Sequence, residues 1–426
     1  MPEAGDEEVT ESKRQGVIQR KKQRRGDVNE AASSELPCEI WVDYVVPYFE
    51  RPAWNSFRMV RNEYNKIMTT RSLPPWPRSF LVDDTGSDRQ LSAFSLSSNS
   101  EWIAYSILDG RIAFYHCLSG KKYTSGSVHA EGFKTLMFSP KDPTFLVSKT
   151  DSEVVVWDLS KTPPSHNVLG SQYGSAAQQH PIPRWAYIHD YDISPDGKLV
   201  VFNYTSTAYG FPEERITIWR LEDGAFLRQW RIVRSDHICY RVGFLSVQDN
   251  ETYRVASYDQ SGNHLILVWE FDSEPVRDQR GEIQTSPSAT PPQTELVLED
   301  VGICQEVIVD RGTRRFQGVG GNDLKNIKLW QTDGKLVHSW TAPVTIRQQV
   351  RLLDLSSPKE TLLCFQQNDI YGIWSLDRGT CVATIQKPGD GEISHVAITP
   401  SGRDMVSLST TGDISFHRLP QSTFQG

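Results

Sequence analysis

The stretch SDHICYR (235–241) places an acid, an imidazole, a thiol and a phenol close together in the sequence. These side-chain types serve metal sites and acid–base catalysis. However, the stretch enters a predicted strand, where such residues commonly make structural hydrogen bonds. We therefore favour a structural role over a catalytic or metal-binding one for Asp236, His237, Cys239 and Tyr240.

Motifs for catalysis and phosphate binding give little support to an enzyme. The sequence has no G-x-S-x-G motif, no P-loop and no HExxH motif. The Gly-rich GVGGND (318–323) lies between two predicted strands, so a hairpin turn explains it better than a phosphate cradle. Six scattered cysteines without a CxxC pair argue against a disulfide framework or zinc knuckle and favour a reducing compartment. We therefore expect a non-enzyme without metal or cofactor.

Composition and charge favour a water-soluble intracellular protein. The 426 residues are 38% hydrophobic and carry a net charge of −8, which gives no reason to expect a specific nucleic-acid partner. No apolar run approaches the roughly 18–20 residues that span a bilayer. The acidic start MPEAGDEEVTES does not resemble a secretory signal. We expect a cytoplasmic or nuclear location and no membrane partner.

Residues 1–33 have too little apolar surface to fold, so the sequence predicts a disordered acidic and basic tail. Within it, KRQGVIQRKKQRRG (13–26) carries seven Lys or Arg and no acidic side chain. Such a run fits a nuclear-import address or a weak polyanion contact. It equally fits a solvated tail, and both interpretations stay open.

A short pattern returns seven times from about residue 111 onward. Each copy is an apolar alternation that ends in an aromatic residue, a polar residue and usually a Gly-bearing turn, as in RITIWRLEDG. The copies are 42, 62, 50, 61, 44 and 43 residues apart, and one propeller blade takes about 40–45 residues. The aromatic position is filled by Tyr115, Trp157, Trp219, Trp269, Trp330 and Trp374, with His417 in the last copy.

Inserted loops and a returning strand account for the irregular parts of this repeat. Two stretches rich in Pro, Ser and Gln, 161–184 and 272–295, are predicted insertions. Pro195-Asp196-Gly197 is predicted to make a hairpin turn. The last copy shows only three strands, so we predict that SFLVDD (79–84) supplies its fourth strand and locks the ring.

These repeats resemble the WD-repeat family over roughly residues 79–420, although Trp157-Asp158 is the only literal Trp-Asp pair. The resemblance implies an all-β domain at 78–420, a seven-bladed WD-repeat-like β-propeller, followed by a tail at 421–426. Propellers of this family usually bind peptides on the face where loops enter the inner strands. By this reasoning the candidates on that face are His189, Asp236, His237, Arg241 and Arg347.

Residues 34–77 change to a helical period. Pro37 suits the first turn of a helix and Pro47 ends or bends it, while the Pro-rich SLPPWPRS (72–79) reads as a hinge. A module this small must dock on the ring or on another protein to be stable. The apolar residues of the next segment are 3, 3, 4 and 3 positions apart, which predicts one apolar stripe along a helix. They are Trp54, Phe57, Val60, Tyr64 and Ile67.

The stretch LPCEIWVDYVVPYF (36–49), followed by FRMVRNEYNKI (57–67), resembles an F-box. Leu36-Pro37 open the motif, Tyr48-Phe49 take its aromatic–apolar pair, and Tyr64 replaces the usual Trp. An F-box just before a WD-repeat propeller is the arrangement of F-box/WD-repeat substrate receptors. The resemblance thus implies a small α-helical F-box-like N-terminal module.

The resemblance implies a substrate-recognition subunit of a Skp–cullin–F-box ubiquitin ligase. The module would bind a Skp-type adaptor, and through it the cullin ligase, while the propeller holds an unidentified substrate protein. Two alternatives stay open: the helical side chains could cap the propeller, or the propeller could be a scaffold unrelated to ubiquitin. The expected adaptor-binding residues are Leu36, Pro37, Ile40, Trp41, Val45, Tyr48, Phe49, Phe57, Val60 and Tyr64.

Overall fold

A computed structural model describes the strands of the chain and some of their connections, all within one compact unit, Arg78–Gly426. The predicted tails at 1–33 and 421–426 and the F-box-like module at 34–77 lie outside the described residues. The described ranges are 79–81, 91–107, 110–116, 121–126, 135–169, 186–206, 213–232, 239–247, 252–259, 265–277, 292–300, 304–309, 314–320, 326–341, 355–356, 361–367, 370–375, 377–386, 393–398, 404–409 and 413–418.

The described elements are twenty-eight β-strands in seven antiparallel four-stranded sheets. The first described strand is β1 (Ser79–Leu81). Sheet 1 then comprises β2 (Leu91–Leu96), β3 (Trp102–Ile107), β4 (Arg111–His116) and β5 (Lys122–Thr124). Sheet 2 comprises β6 (Thr135–Phe138), β7 (Phe145–Lys149), β8 (Val154–Asp158) and β9 (Ser165–Leu169). Sheet 3 comprises β10 (Ala186–Ile193), β11 (Leu199–Ser206), β12 (Glu213–Arg220) and β13 (Phe226–Ile232).

The remaining four sheets follow the same plan. Sheet 4 comprises β14 (Cys239–Val247), β15 (Thr252–Asp259), β16 (Leu265–Asp272) and β17 (Thr294–Val297). Sheet 5 comprises β18 (Cys304–Val309), β19 (Phe316–Gly320), β20 (Asn326–Trp330) and β21 (Leu336–Thr341). Sheet 6 comprises β22 (Leu355–Ser356), β23 (Thr361–Gln367), β24 (Ile370–Ser375) and β25 (Thr380–Gln386). Sheet 7 comprises β26 (Ile393–Ile398), β27 (Asp404–Ser409), β28 (Asp413–Arg418) and β1.

The repeat found in the sequence corresponds to the third strand of each sheet. Its six aromatic residues and the final His417 lie in β4, β8, β12, β16, β20, β24 and β28. Each has a cross-strand partner on the second strand, such as Leu146 opposite Trp157 and Val255 opposite Trp269. The seven copies of the repeat therefore coincide with the seven described sheets.

Sheet 7 is completed by the strand that precedes sheet 1. Strand β1 pairs antiparallel with β28, with Ser79 opposite Ser415 and Leu81 opposite Asp413. The predicted role of SFLVDD as the missing fourth strand is confirmed for residues 79–81. Because β1 leads to sheet 1 along the chain, this pairing ties the two ends of the repeat together.

Neighbouring sheets share apolar cores, because most strands are buried on both faces. On sheet 3, Phe202 packs in a cluster with sheet 2, whereas Val201 packs in a cluster with sheet 4. Similar clusters join sheet 1 to sheet 2 and sheet 4 to sheet 5. First strands also lie against each other, β2 against β6 and β26, β14 against β10 and β18, and β22 against β26. A strand buried on both faces needs a continuous apolar run, as in VVVW of β8.

Turns that contain glycine pack several sheets closely against the fourth strand of the preceding sheet. Gly334, between β20 and β21, has φ of 86°, and a Cβ there would meet the Val297 carbonyl oxygen of β17 at 3.1 Å. Gly379, between β24 and β25, has φ of 64° and lies against the Trp340 indole of β21. Both the positive φ and the close approach require glycine.

Two predictions about irregular stretches are wrong in part. The predicted insertion 161–184 contains β9, and the predicted insertion 272–295 ends within β17. Both are fourth strands, paired on one side only. They therefore lack the apolar run of a buried strand, and four of the five residues of β9 are exposed or only partly buried.

The predicted hairpin turn GVGGND is also wrong in part, because its first three residues belong to β19. Gly318 lies opposite Lys328, and a Cβ there would meet Cζ3 of the Trp330 indole at 2.7 Å. That indole is fully buried, and its Nε1 donates to the Glu299 carbonyl at 2.7 Å. Gly318 therefore makes room for the aromatic residue of its own repeat.

We expect Gly318→Ala to lower the free energy of unfolding by about 1–3 kcal/mol, the usual cost of overpacking a core. Urea unfolding followed by tryptophan fluorescence measures it. The matched control is Gly126→Ala, where a Cβ meets nothing within 4 Å. Equal stabilities for the two variants would contradict the proposed packing of Trp330.

Candidate functional site

The structure describes two of the five residues predicted on the binding face. His189 lies in β10 and Arg241 in β14, which are the first strands of adjacent sheets. Asp236, His237 and Arg347 lie outside the described residues. The ten expected adaptor-binding residues, from Leu36 to Tyr64, lie outside them as well.

His189 and Arg241 were expected in loops, but both lie within strands next to β-bulges. The register of β10 against β11 shifts between Ile188 and Asp190, which leaves His189 as the extra residue. The register of β14 against β15 shifts between Cys239 and Arg241. A bulge re-aims side chains and commonly occurs beside binding sites.

The bulge recurs at the start of other first strands. Among the described first strands, β2, β18 and β26 also shift register against their second strands. The bulge lies near the beginning of each of these strands, so the re-aimed residues of sheets 1, 3, 4, 5 and 7 lie at the edge of the sheet where its first strand begins. His189 and Arg241 lie at this edge of sheets 3 and 4.

His189 belongs to a small cluster at this edge. Its Nε2 is 2.6 Å from the Thr205 hydroxyl oxygen. Its ring contacts Tyr187 edge to face, with centroids 5.0 Å apart. Burial and then the nearby Lys149 ammonium lower the pKa of His189, against an opposing effect of Asp151. The imidazole is therefore neutral at pH 7.

Tyr187 gives this cluster an exposed aromatic surface. Its side chain is 50% exposed, and it is the one aromatic residue among the exposed large hydrophobic residues of the described ranges. It lies opposite Thr205 in the sheet, so its ring stands beside that of His189 on the strand that follows the insertion. A Tyr ring combines apolar area with a polar hydroxyl, which suits a protein interface.

Arg241 adds a cation anchored across the boundary between sheets 3 and 4. Its NH1 lies 3.7 Å from Oδ1 of Asp190, and its side chain is 40% exposed. Oδ2 of Asp190 accepts the Val242 N–H at 3.3 Å. The guanidinium is therefore held near the surface by a carboxylate on the neighbouring sheet.

A buried ion pair below this cluster was not found from the sequence. Oδ2 of Asp192 accepts the Phe244 N–H at 2.8 Å and the Arg314 NH1 group at 2.7 Å. Arg314 also donates to the carbonyls of Phe244 and Ile193. Asp192 is 2% exposed, and its contacts join sheets 3, 4 and 5. An Asp within a buried strand predicts that a cationic side chain pairs with it, but the sequence does not identify that side chain.

A second polar network lies within sheet 3. Gln229 Nε2 donates to the Tyr204 hydroxyl at 2.5 Å, and Arg215 donates to Gln229 Oε1 at 3.3 Å. Glu213 accepts from Arg215 at 2.7 Å and pairs with Arg231 at 2.9 Å. Burial raises the pKa of Tyr204 to about 12, while the Arg215 hydrogen bond lowers that of Glu213. These paired groups stabilise the sheet end beside the cluster.

The chemistry of this region suits binding. No group of three or more His, Cys, Asp or Glu in the described ranges could hold a metal ion. Tyr187, His189 and Arg241 instead offer an aromatic ring, a neutral imidazole and an exposed cation. Tyr and Arg are enriched among the residues that dominate protein–protein binding energies. We refer to these three residues as the Tyr187 surface.

Comparisons with known proteins identify no family for this chain. No protein-family model matches it, and a search of curated proteins finds no significant match. Within the described ranges, no helix is long and apolar enough to cross a membrane.

We expect the stability of the protein to fall as the pH drops through about 6.5, partly because His189 must take up a proton on unfolding. Its pKa is lower in the folded than in the unfolded state, so acid favours unfolding. His189→Gln should therefore reduce the loss of urea midpoint between pH 7.5 and 5. The same change at the exposed His338 serves as the control. An undiminished pH dependence in His189→Gln would contradict this assignment.

Proposed function

We propose that the seven sheets close into a seven-bladed, WD-repeat-like β-propeller. The pairing of β1 with β28 supports closure, because it joins the beginning of the repeat to its end. The contact of β2 with β26 supports it independently, since these are the first strands of sheets 1 and 7. In a closed ring, every sheet also has a neighbouring sheet on each of its two faces.

We propose further that the chain is a substrate-recognition subunit of a Skp–cullin–F-box ubiquitin ligase, acting in the cytoplasm or nucleus. The observation that carries this proposal is the F-box-like sequence at 36–67 immediately before a repeating all-β unit. The helical module would bind the Skp-type adaptor. The propeller would hold the substrate protein.

The Tyr187 surface is the proposed substrate contact. Its three residues come from two adjacent sheets whose first strands are hydrogen-bonded through Asp190 and Asp192. An equivalent contact joins sheets 1 and 2, where the Phe138 N–H donates to the Ser95 hydroxyl at 3.2 Å. Such bonds hold the binding side chains in fixed positions, which lowers the entropy lost on binding.

The proposed subunit performs no chemistry of its own. Its contribution is to hold one protein while the ligase transfers ubiquitin to it. A propeller scaffold unrelated to ubiquitin would use the same surface. The two functions differ in whether the segment at 36–67 captures an adaptor.

We expect the full-length protein to co-purify with a Skp-type adaptor, and Leu36→Ala/Pro37→Ala/Ile40→Ala to reduce that capture at least about tenfold. Loss of central apolar contacts typically costs more than 1.4 kcal/mol of binding energy. The amount of adaptor retained on immobilised protein measures it. Tyr187→Ser is the matched control, since it changes the propeller surface and should leave adaptor capture intact.

Two results would contradict the ligase assignment. One is failure of the wild-type protein to retain the adaptor. The other is equal retention by the triple variant. Either result would favour the scaffold, which needs no adaptor.

A further inference from the structure

The connection between β16 and β17 is held on the neighbouring sheet before it returns to its own. Residues 273–277 follow β16 and reach β13, the fourth strand of sheet 3, where the Val276 N–H donates to the Leu227 carbonyl at 3.3 Å. We call residues 273–277 the strap. It marks the beginning of the Pro-rich stretch predicted as an insertion.

One side chain of β13, Arg228, holds the strap. Its NH2 group donates to Oδ1 of Asp272 at 2.7 Å and to the carbonyl of Glu274 at 3.0 Å. The same group lies 3.3 Å from the Asp272 carbonyl. The guanidinium carbon lies 5.1 Å from the centroid of the Phe271 ring. The Arg228 side chain is 16% exposed, and its hydrogen bonds to a carboxylate and to carbonyl oxygens are charge-assisted, although Asp272 itself is 67% exposed.

The strap occupies the place that glycine turns take in other sheets. Gly334 and Gly379 each bring a short turn between third and fourth strands against the outer strand of the preceding sheet. In sheet 4 the connection runs from Asp272 to Thr294, too long for such a turn. Ion pairing by Arg228 replaces the close backbone approach that glycine permits elsewhere.

The strand beneath the strap differs from the other fourth strands. Leu227 and Trp230 of β13 are 0% and 3% exposed. By contrast, every residue of β17 and β21 is partly buried or exposed. An apolar outer strand with an open backbone edge would pair readily with another chain, and native proteins cover such edges.

We propose that the strap closes the outer edge of β13 against pairing with a second copy of this chain, and that Arg228 locks it. The lock consists of hydrogen bonds to Asp272, the last residue of β16, and to the Glu274 carbonyl of the strap, so removing Arg228 frees the strap while sheet 3 stays folded. The freed edge offers the Leu227 carbonyl to an incoming strand.

Hydrogen exchange of the full-length chain, followed by mass spectrometry, tests the lock. In Arg228→Met, which keeps an unbranched apolar stem, we expect strap amides to exchange at least about tenfold faster while β12 stays protected. The matched control is Arg254→Met, because Arg254 pairs with Glu270 at 3.0 Å on the same sheet as the strap and should leave the strap unchanged. Unchanged strap exchange in Arg228→Met, or equal acceleration throughout sheet 3, would overturn the proposal.

Sedimentation velocity tests whether the strap guards the edge. We expect Arg228→Met to self-associate as its concentration rises, while wild type and Arg254→Met do not. If the strap amides of Arg228→Met exchange quickly but the variant stays as monomeric as wild type, the proposal that the strap prevents self-association is overturned. These measurements do not involve the adaptor, so their outcome is separate from that of the ligase proposal.

Discussion

The structure depends on one constraint: a sheet with two apolar faces needs a covering sheet on each side. Sheet 3 illustrates it, because Phe202 and Val201 alternate along β11 and are each fully buried, one toward sheet 2 and the other toward sheet 4. An open row of such sheets leaves two exposed faces at its ends. Strand β1 pairs with β28 of sheet 7 and leads along the chain into sheet 1, and the closed ring that we propose would cover both end faces.

The same constraint explains where binding residues can lie. Side chains between sheets are committed to packing, so variable chemistry is confined to the strand ends. The bulges near the beginning of β10 and β14 use that freedom: His189 is the extra residue of the first bulge, and Arg241 directly follows the second. On the same strand β10, Asp192 pairs with Arg314 at 2.7 Å. This buried ion pair and the bonds of its two members to Phe244 and Ile193 link sheets 3 and 4 to the segment that enters β19.

Much of the fold follows from the sequence, because the third strand of each sheet shows both an apolar alternation and the repeated aromatic residue. The aromatic residues of the repeat, the Pro195–Gly197 turn with its Gly197 N–H bonded to the Ser194 carbonyl at 2.8 Å, and the returning strand β1 were all predictable. The fourth strand β9 was not, because a strand that is paired on one side only and partly exposed has no apolar period to recognise. The F-box-like module remains a prediction.

The candidate site was less predictable than the fold. His189 and Arg241 were expected in loops, whereas they lie near the beginnings of β10 and β14. The bulges beside them arise from pairing with a second strand and leave no local sequence pattern. Arg314 and Asp192 are 122 residues apart, so only tertiary contact reveals their pairing. Arg228 and Asp272 are likewise separated by 44 residues.

The most direct test of the account is a cross-link between the two ends of the repeat. Ser79 and Ser415 are cross-strand partners, and antiparallel partners have Cα atoms about 4.5–5.5 Å apart, within disulfide range. Mass spectrometry of the oxidised Ser79→Cys/Ser415→Cys variant should show an intramolecular disulfide joining residues 79 and 415, whereas Ser79→Cys/Arg418→Cys should not form one. Free thiols at both positions, or disulfide-linked dimers, would contradict closure of the seven sheets by β1.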